Sequence, residues 1–491
     1  MTQGHPRGLS VCFGAEMFER LCYYGMRGLL ILYLTDALMQ GDTQAIGIYG
    51  AYTALVYAAP VWGGKLADAV LGFRRAVIFG GVVMAVGEFM ILGGTETWLY
   101  LGMAAIIVGN GFFKANISTI VGRLYKDGDP LRDSGFTIFY MGINIGALLA
   151  TVAVAPIGEK FGYHWGFLLA GIGMLVGIAI FIKGQDKLDG HGEPNDPEAL
   201  RKYGKWVYGL SILAIPALYA LITYGGDVII LGKDLLFWIL MGLLGYVCYH
   251  LLREGFKGDH VQRDRIIVLM ILMTFNVVFW AFFEQAGSSL TLFALRNVDR
   301  NIMGLYEMPA SQTQFFNPAF IILFGSVFSV MWIKLSSMGK NPSIPMKFGM
   351  GIVQLGLGFL ALLLGAGFVG DEALVPLIFL GIMYLLHTTG ELFLSPIGLS
   401  MVTKLAPKHM TGSAMGAWFL SFAFSMYAAA GLAKLTGGVG GEGAAEVVMT
   451  PTESLTTYIS LFGKMGFVAV GIGVLLMLLS KPLTRLMHGV E

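Results

Sequence analysis

The amino-acid sequence predicts an all-α integral membrane protein of fourteen transmembrane helices. Two observations of composition and one of pattern carry that prediction. Hydrophobic residues make up 56% of the 491 positions and charged residues only 13%, too few to clothe soluble domains over this length. Apolar runs able to cover the ~20 residues of a bilayer crossing recur from one end of the chain to the other. Lys and Arg total 32 against 31 Asp and Glu, so the net charge of +1 leaves no electrostatic footprint for nucleic acid. The three cysteines, Cys12, Cys22 and Cys248, form no disulfide framework and no metal-ligand spacing, and read as small buried hydrophobes. No cofactor is expected.

The first apolar run, 10–34, follows a start (Met1 to Ser10) too short and too weakly basic for the leading part of a cleaved signal, and it contains Glu16, Glu19 and Arg20. It is expected to be a retained helix. Polar breaks then place helices at 45–67, 75–94, 98–122, 134–157, 164–183, 203–224, 234–252, 264–295, 314–336, 346–368, 373–403, 411–435 and 455–480. The longest break, Lys183 to Lys205, carries Gly190, Gly192, Pro194 and Pro197 among charges and reads as a solvated linker. With both termini cytoplasmic, 22 of the 32 Lys and Arg fall in cytoplasmic segments and 5 in outer loops, the asymmetry expected of an even number of spans. Glycine, at 69 residues, is about twice its ordinary ~7% share. The pairs Gly142/Gly146 and Gly173/Gly177 have the small-xxx-small spacing of closely packed membrane helices.

Charges within the spans are Glu16, Glu19, Arg20, Arg27, Lys65, Glu88, Lys114, Glu284, Glu391 and Lys464. Each costs at least ~2.5 kcal/mol at the bilayer centre unless it is paired or hydrated. Lys65 and Lys464 are expected to snorkel to an interface, and Glu88 to be a buried structural group. Glu16, Glu19, Arg20, Tyr23 and Arg27 are spaced i, i+3, i+4, i+7 and i+11, which puts them on one stripe of the first helix. Two acids and two bases on one stripe exceed what helix packing requires, so a water-filled cavity is expected. Tyr57, Lys114, Asn144, Glu284, Asn317 and Glu391 are further polar groups able to reach it from both halves. Such a mixed-sign cavity suits a zwitterion, with Arg and Lys for a carboxylate and Glu for an ammonium. It also suits protons, because a buried carboxylate separated from its cation takes one up.

The stripe Glu16-Met-Phe-Glu19-Arg20-Leu-Cys-Tyr23-Tyr24 resembles the ExxERFxYY motif of the proton-dependent oligopeptide transporters (the POT/PTR family), a branch of the major facilitator superfamily. Gly63-Gly64-Lys-Leu-Ala-Asp68-Ala-Val-Leu-Gly72-Phe-Arg74-Arg75 resembles the superfamily's loop motif between helices two and three. Gly109 to Thr119, Phe139 to Leu148, Trp280 to Gln285, Asn317-Pro318 and Gly390 to Pro396 are similar to family segments in the same order. Departures are small: Leu21 replaces the motif's Phe, and Ala115 follows Lys114 where Pro is common.

The resemblance implies a major facilitator fold. Residues 1–183 would form an N-terminal six-helix bundle, 184–263 a linker with two extra transmembrane helices, and 264–491 a C-terminal six-helix bundle, in the bacterial cytoplasmic (inner) membrane. It implies a proton symporter for di- and tripeptides and for peptide-like drugs, with protons as the coupling ion and membrane lipid as surroundings. Arg27 and Lys114 would hold the peptide carboxylate and Glu391 the ammonium. Tyr23, Tyr57, Asn144 and Asn317 would hydrogen-bond the peptide, while Trp280, Phe283, Trp418 and Ser395 would line side-chain pockets. Glu16, Glu19, Arg20, Lys114 and Glu284 would couple protons. Arg27 and Glu284 would form an outer gate, and Asp68, Arg74 and Arg75 would control the cytoplasmic side.

A membrane enzyme is disfavoured, because no His-Glu-x-x-His, Asp-rich diphosphate motif or nucleophile elbow is present. A channel would need a repeated pore segment or filter, and none occurs. Relatives of this fold that carry nitrate or other small anions stay open as an alternative, although the intact Glu16/Glu19/Arg20 stripe and Glu391 favour a zwitterionic peptide.

Overall fold

The computed structural model describes residues 4–126, 129, 131–370, 372–407, 411–436 and 449–490. Of the cations counted above, Lys408 lies outside the described residues. Fourteen long helices stand among the described residues: α1 (Gly8–Leu32), α2 (Asp42–Leu71), α3 (Phe73–Ile91), α4 (Glu96–Arg123), α5 (Ser134–Phe161), α6 (Tyr163–Lys183), α7 (Pro197–Tyr224), α8 (Leu235–Lys257), α9 (His260–Asn297), α10 (Ser311–Ser337), α11 (Ile344–Phe368), α12 (Leu377–Leu405), α13 (Thr411–Ala433) and α14 (Pro451–Leu486). Each coincides with an apolar run of the sequence. Twelve are long and apolar enough to cross a membrane outright. The other two, α1 and α3, carry too many charges for that: Glu16, Glu19, Arg20 and Arg27 on one, Arg74, Arg75 and Glu88 on the other.

Two of the helices that start earlier than expected have a capping explanation. Helix α7 starts at Pro197, where the Asp196 carboxylate accepts from the Glu198 and Ala199 amides. Helix α14 starts at Pro451 behind a reciprocal Thr450/Glu453 capping box. In both, the first turns are polar, so hydrophobic periodicity alone starts the helix late.

The helices pack as two compact units, Met1–Gln40 with Ala51–Leu236 and Gly41–Gly50 with Phe237–Glu491. In the first unit α1 lies against α5 and α6, α3 against α4 and α6, and α4 against α7. In the second, α11 lies between α12 and α14, α9 packs on α13, and α10 on α12.

Both small-xxx-small pairs face α1. A Cβ on Gly146 would stand 2.9 Å from Arg20 Cβ, and one on Gly177 3.0 Å from Phe18 Cβ. Glycine is thus what lets a helix bearing two buried arginines be enclosed from two sides. The segment between α6 and α7, expected as a solvated linker, is exposed over much of its length and is also a strap across the start of α3. Leu188 is fully buried, the Arg74 amide donates to Gly192 O at 2.9 Å, and the Arg74 guanidinium donates to His191 O at 2.7 Å and to Glu193 at 3.1 Å. Gly72, at φ 74°, supplies the left-handed turn that begins α3 beneath the strap. Composition registers the prolines and charges of this segment; it does not register the one leucine and the backbone carbonyls that pin it down.

Substitution Gly146→Leu should overpack the α1–α5 contact and cost about 1–3 kcal/mol. The expected result is a lowered thermal midpoint in detergent, with Gly209→Leu, at a position with open space around it, unchanged.

Candidate functional site

In the first unit the α1 stripe is wholly buried: Glu16 and Glu19 are fully enclosed, and Arg20, Tyr23 and Arg27 nearly so. Helical spacing stacks these side chains, and neighbours on α4 complete their pairing. The Arg20 guanidinium donates to the Glu19 carboxylate and lies 3.5 Å from Glu16. Lys114, on α4, donates to the same Glu16 oxygen, Oε1. One turn before Lys114, Asn110 donates to Glu19 Oε1 at 3.2 Å. Two acids are therefore shared by two cations and an amide. The other oxygen of Glu16, Oε2, is buried with no hydrogen-bond partner among the described residues. The Arg20 guanidinium also lies 4.9 Å from the Tyr23 ring centre, and Arg27 5.9 Å from that of Tyr24.

Asn144, on α5, turns its amide to its own helix at Tyr140 O, 3.0 Å away, and Tyr57 on α2 is half-buried. Asp68 meets neither Arg74 nor Arg75. Its carboxylate lies 3.6 Å from Arg123 and accepts from Asn195 of the strap at 3.2 Å, while Arg75 is exposed. Lys65 is exposed and lies over Trp62, and Lys464 is exposed. Glu88 is fully buried; the Cys22 thiol donates to one oxygen at 3.4 Å and the other has no hydrogen-bond partner among the described residues.

The second unit holds its acid differently. Glu391, on α12, is buried and accepts from Asn317 of α10 at 2.9 Å, and that amide also donates to Thr388 at 3.1 Å. An aromatic wall stands in the same unit. Trp280 packs edge-on against Phe283 with centres 5.0 Å apart, and Phe422 lies between Trp280 at 5.1 Å and Trp418 at 5.8 Å. The Trp280 indole donates to Asn276, which donates in turn to Ser421. Trp418 is buried against Gly398, where a Cβ would strike its indole. Ser395 is half-buried on α12, and Glu284 is buried where α9 tightens into a 3-10 turn.

The sequence reading missed Asn110, Asn276, Thr388 and Phe422. The two asparagines carried a usable signal, since each precedes a selected residue by one helical turn on an otherwise apolar helix. A further missed feature lies within the second unit, where Asp42 and Arg296 form a two-pronged ion pair, one contact at 2.7 Å.

Fourteen long helices, twelve of them apolar enough to cross a membrane, with acids and bases paired inside the first unit, define the class of secondary transporters with the major facilitator fold. The POT family profile matches residues 74–215 and 244–446, and the chain belongs to that family. It is 36% identical to the "Uncharacterized transporter YclF" of Bacillus subtilis (strain 168), over 99% of this chain and 96% of that one. It is 34% identical to "Dipeptide and tripeptide permease A" of Cronobacter turicensis, over 98% and 93%. A crystal structure of "peptide transporter POT in complex with sulfate" superposes with a TM-score of 0.83 at 34% identity, covering 100% of this chain and 97% of that chain.

The quartet predicts a coupled pair of stability changes. Lys114→Met should cost about 3–5 kcal/mol, because it leaves Glu16 with Arg20 alone, which is already engaged by Glu19. Adding Glu16→Gln should recover most of that loss. Thermal midpoints across the double-mutant cycle measure the coupling, and additive losses would contradict it.

Proposed function

We propose that this chain is a proton-coupled symporter that imports di- and tripeptides by alternating access across a bacterial cytoplasmic membrane, with both termini cytoplasmic. Membership of the POT family and the names of its relatives support the substrate class. The observation that carries the coupling is Glu16: one buried oxygen is shared by Arg20 and Lys114, and the other has no partner among the described residues. A buried acceptor left over in this way calls for a reason, and a proton supplies it. When a peptide carboxylate draws Lys114 and Arg27 toward itself, Glu16 keeps too little positive charge to remain ionised in a low dielectric. Proton and peptide then bind together.

The other end of the peptide is assigned to Glu391, a carboxylate already oriented by Asn317, with Tyr23, Tyr57, Asn144 and Asn317 bonding the backbone. Trp280, Phe283, Trp418 and Ser395 are assigned to peptide side chains, and Glu284 to proton release. Peptide-like drugs that keep both charged ends meet the same demands. One proton moving down ~100 mV and one pH unit supplies about 3.7 kcal/mol, enough for roughly 500-fold accumulation of a neutral zwitterion.

Binding polarity tests the reading. Glu391→Gln should weaken binding of free-amine dipeptides by roughly 1.5–3 kcal/mol, the value of a hydrogen bond to a charged group, and change binding of N-acetylated peptides far less. Calorimetry on the purified protein decides the matter: equal losses for both ligands contradict the assignment of Glu391, and no dipeptide binding by the wild type alongside nitrate uptake contradicts the substrate.

A further inference from the structure

Helix α7 is a span with little protein around it, only 17% of its most apolar stretch being buried. Along one exposed face run Lys202, Trp206, Leu210 and Leu213, at i, i+4, i+8 and i+11. Trp206 is 69% exposed and Leu213 68%. A cation, then an indole, then leucines is the order of headgroup, interface and hydrocarbon, so the helix fixes its own depth in a bilayer. Its cationic end therefore lies among headgroups.

Arg201 and Lys205 flank Lys202 and are exposed, and Tyr203 adds a second exposed aromatic ring at that level. Arg75, exposed in the first turn of α3, joins them, because α3 meets α7 one turn further on through Phe79 and Tyr208, whose rings are 4.9 Å apart. Elsewhere, Arg74, Arg123, Lys257 and Arg263 each have a carboxylate within 4 Å. Arg201, Lys202, Lys205 and Arg75 have none among the described residues. The nearby acids have other partners: Asp196 caps α7, Glu193 pairs with Arg74 and Asp68 with Arg123, which leaves Glu198 against the four cations. We propose that Arg201, Lys202, Lys205 and Arg75, with Trp206, form a binding site for the headgroup of an anionic glycerophospholipid.

The chemistry of that ligand follows from the site. Guanidinium and ammonium groups donate to phosphate oxygens, the indole seats at the glycerol level, and the leucines below it meet the acyl chains. A zwitterionic headgroup would set its own ammonium against the same four cations. The site thus selects for net negative charge.

Native mass spectrometry of the detergent-purified full chain tests this, with phosphatidylglycerol and phosphatidylcholine in competition. Wild type should retain phosphatidylglycerol in preference. The variant Lys202→Gln/Lys205→Gln should lower that preference about 30-fold, at ~1 kcal/mol per cation near an anionic surface. Removing the same charge from exposed positions on α14, Lys481→Gln/Arg485→Gln, should leave it intact. All four substitutions are of exposed side chains, and unchanged thermal midpoints confirm the fold. The proposal is overturned by equal retention of the two lipids in wild type, by equal losses in both variants, or by displacement of phosphatidylglycerol by inorganic phosphate at matched concentration.

Discussion

Two acids and two bases packed between α1 and α4, all buried but Lys114, set the terms for the rest of the first unit. Glu16, Glu19, Arg20 and Lys114 would each be prohibitively costly alone in hydrocarbon; together they reduce one another's desolvation cost, provided their geometry is held. Holding it requires close helices. Gly146 on α5 and Gly177 on α6 allow α1 to be approached to within a side chain's width, and Asn110 adds a second donor to the Glu19 oxygen that Arg20 Nη2 also reaches. The spare buried oxygen of Glu16 is the feature on which the proposed proton coupling rests.

The second unit solves the same problem with fewer charges. Glu391 is steadied by an amide from α10 and stands in a unit whose neighbouring features are aromatic: the Trp280, Phe283, Phe422 and Trp418 contacts and the Asn276 and Ser421 hydrogen bonds behind them. Under the proposed function, an acid steadied by an amide suits recognition of a positive group, and rings suit side chains of varied size.

Most of this organisation was legible in the chain. Fourteen apolar runs became fourteen helices, since nothing but a helix satisfies backbone groups at membrane depth in such a sequence. The stripe on α1 was readable from spacing, as was the role of glycine. Three things were not. Helix starts at Asp196 and Thr450 were hidden because polar first turns mask the apolar period. The attachment of the strap to α3 was hidden because backbone carbonyls, which no composition reveals, hold Arg74. Partners distant in sequence, such as Asp42 with Arg296 and Asp68 with Arg123, needed the fold to bring them together.

The central claim is that peptide movement is tied to a proton through Glu16 and its two cations. Current recorded from proteoliposomes on a solid-supported membrane tests it most directly, since a neutral zwitterionic dipeptide carries no charge of its own. On a dipeptide jump the account predicts a transient inward positive current in wild type that grows as the outer pH falls, and loss of that current in Glu16→Gln while labelled dipeptide still exchanges across the membrane. Dipeptide entry without current in the wild type, or an undiminished current in Glu16→Gln, would contradict it.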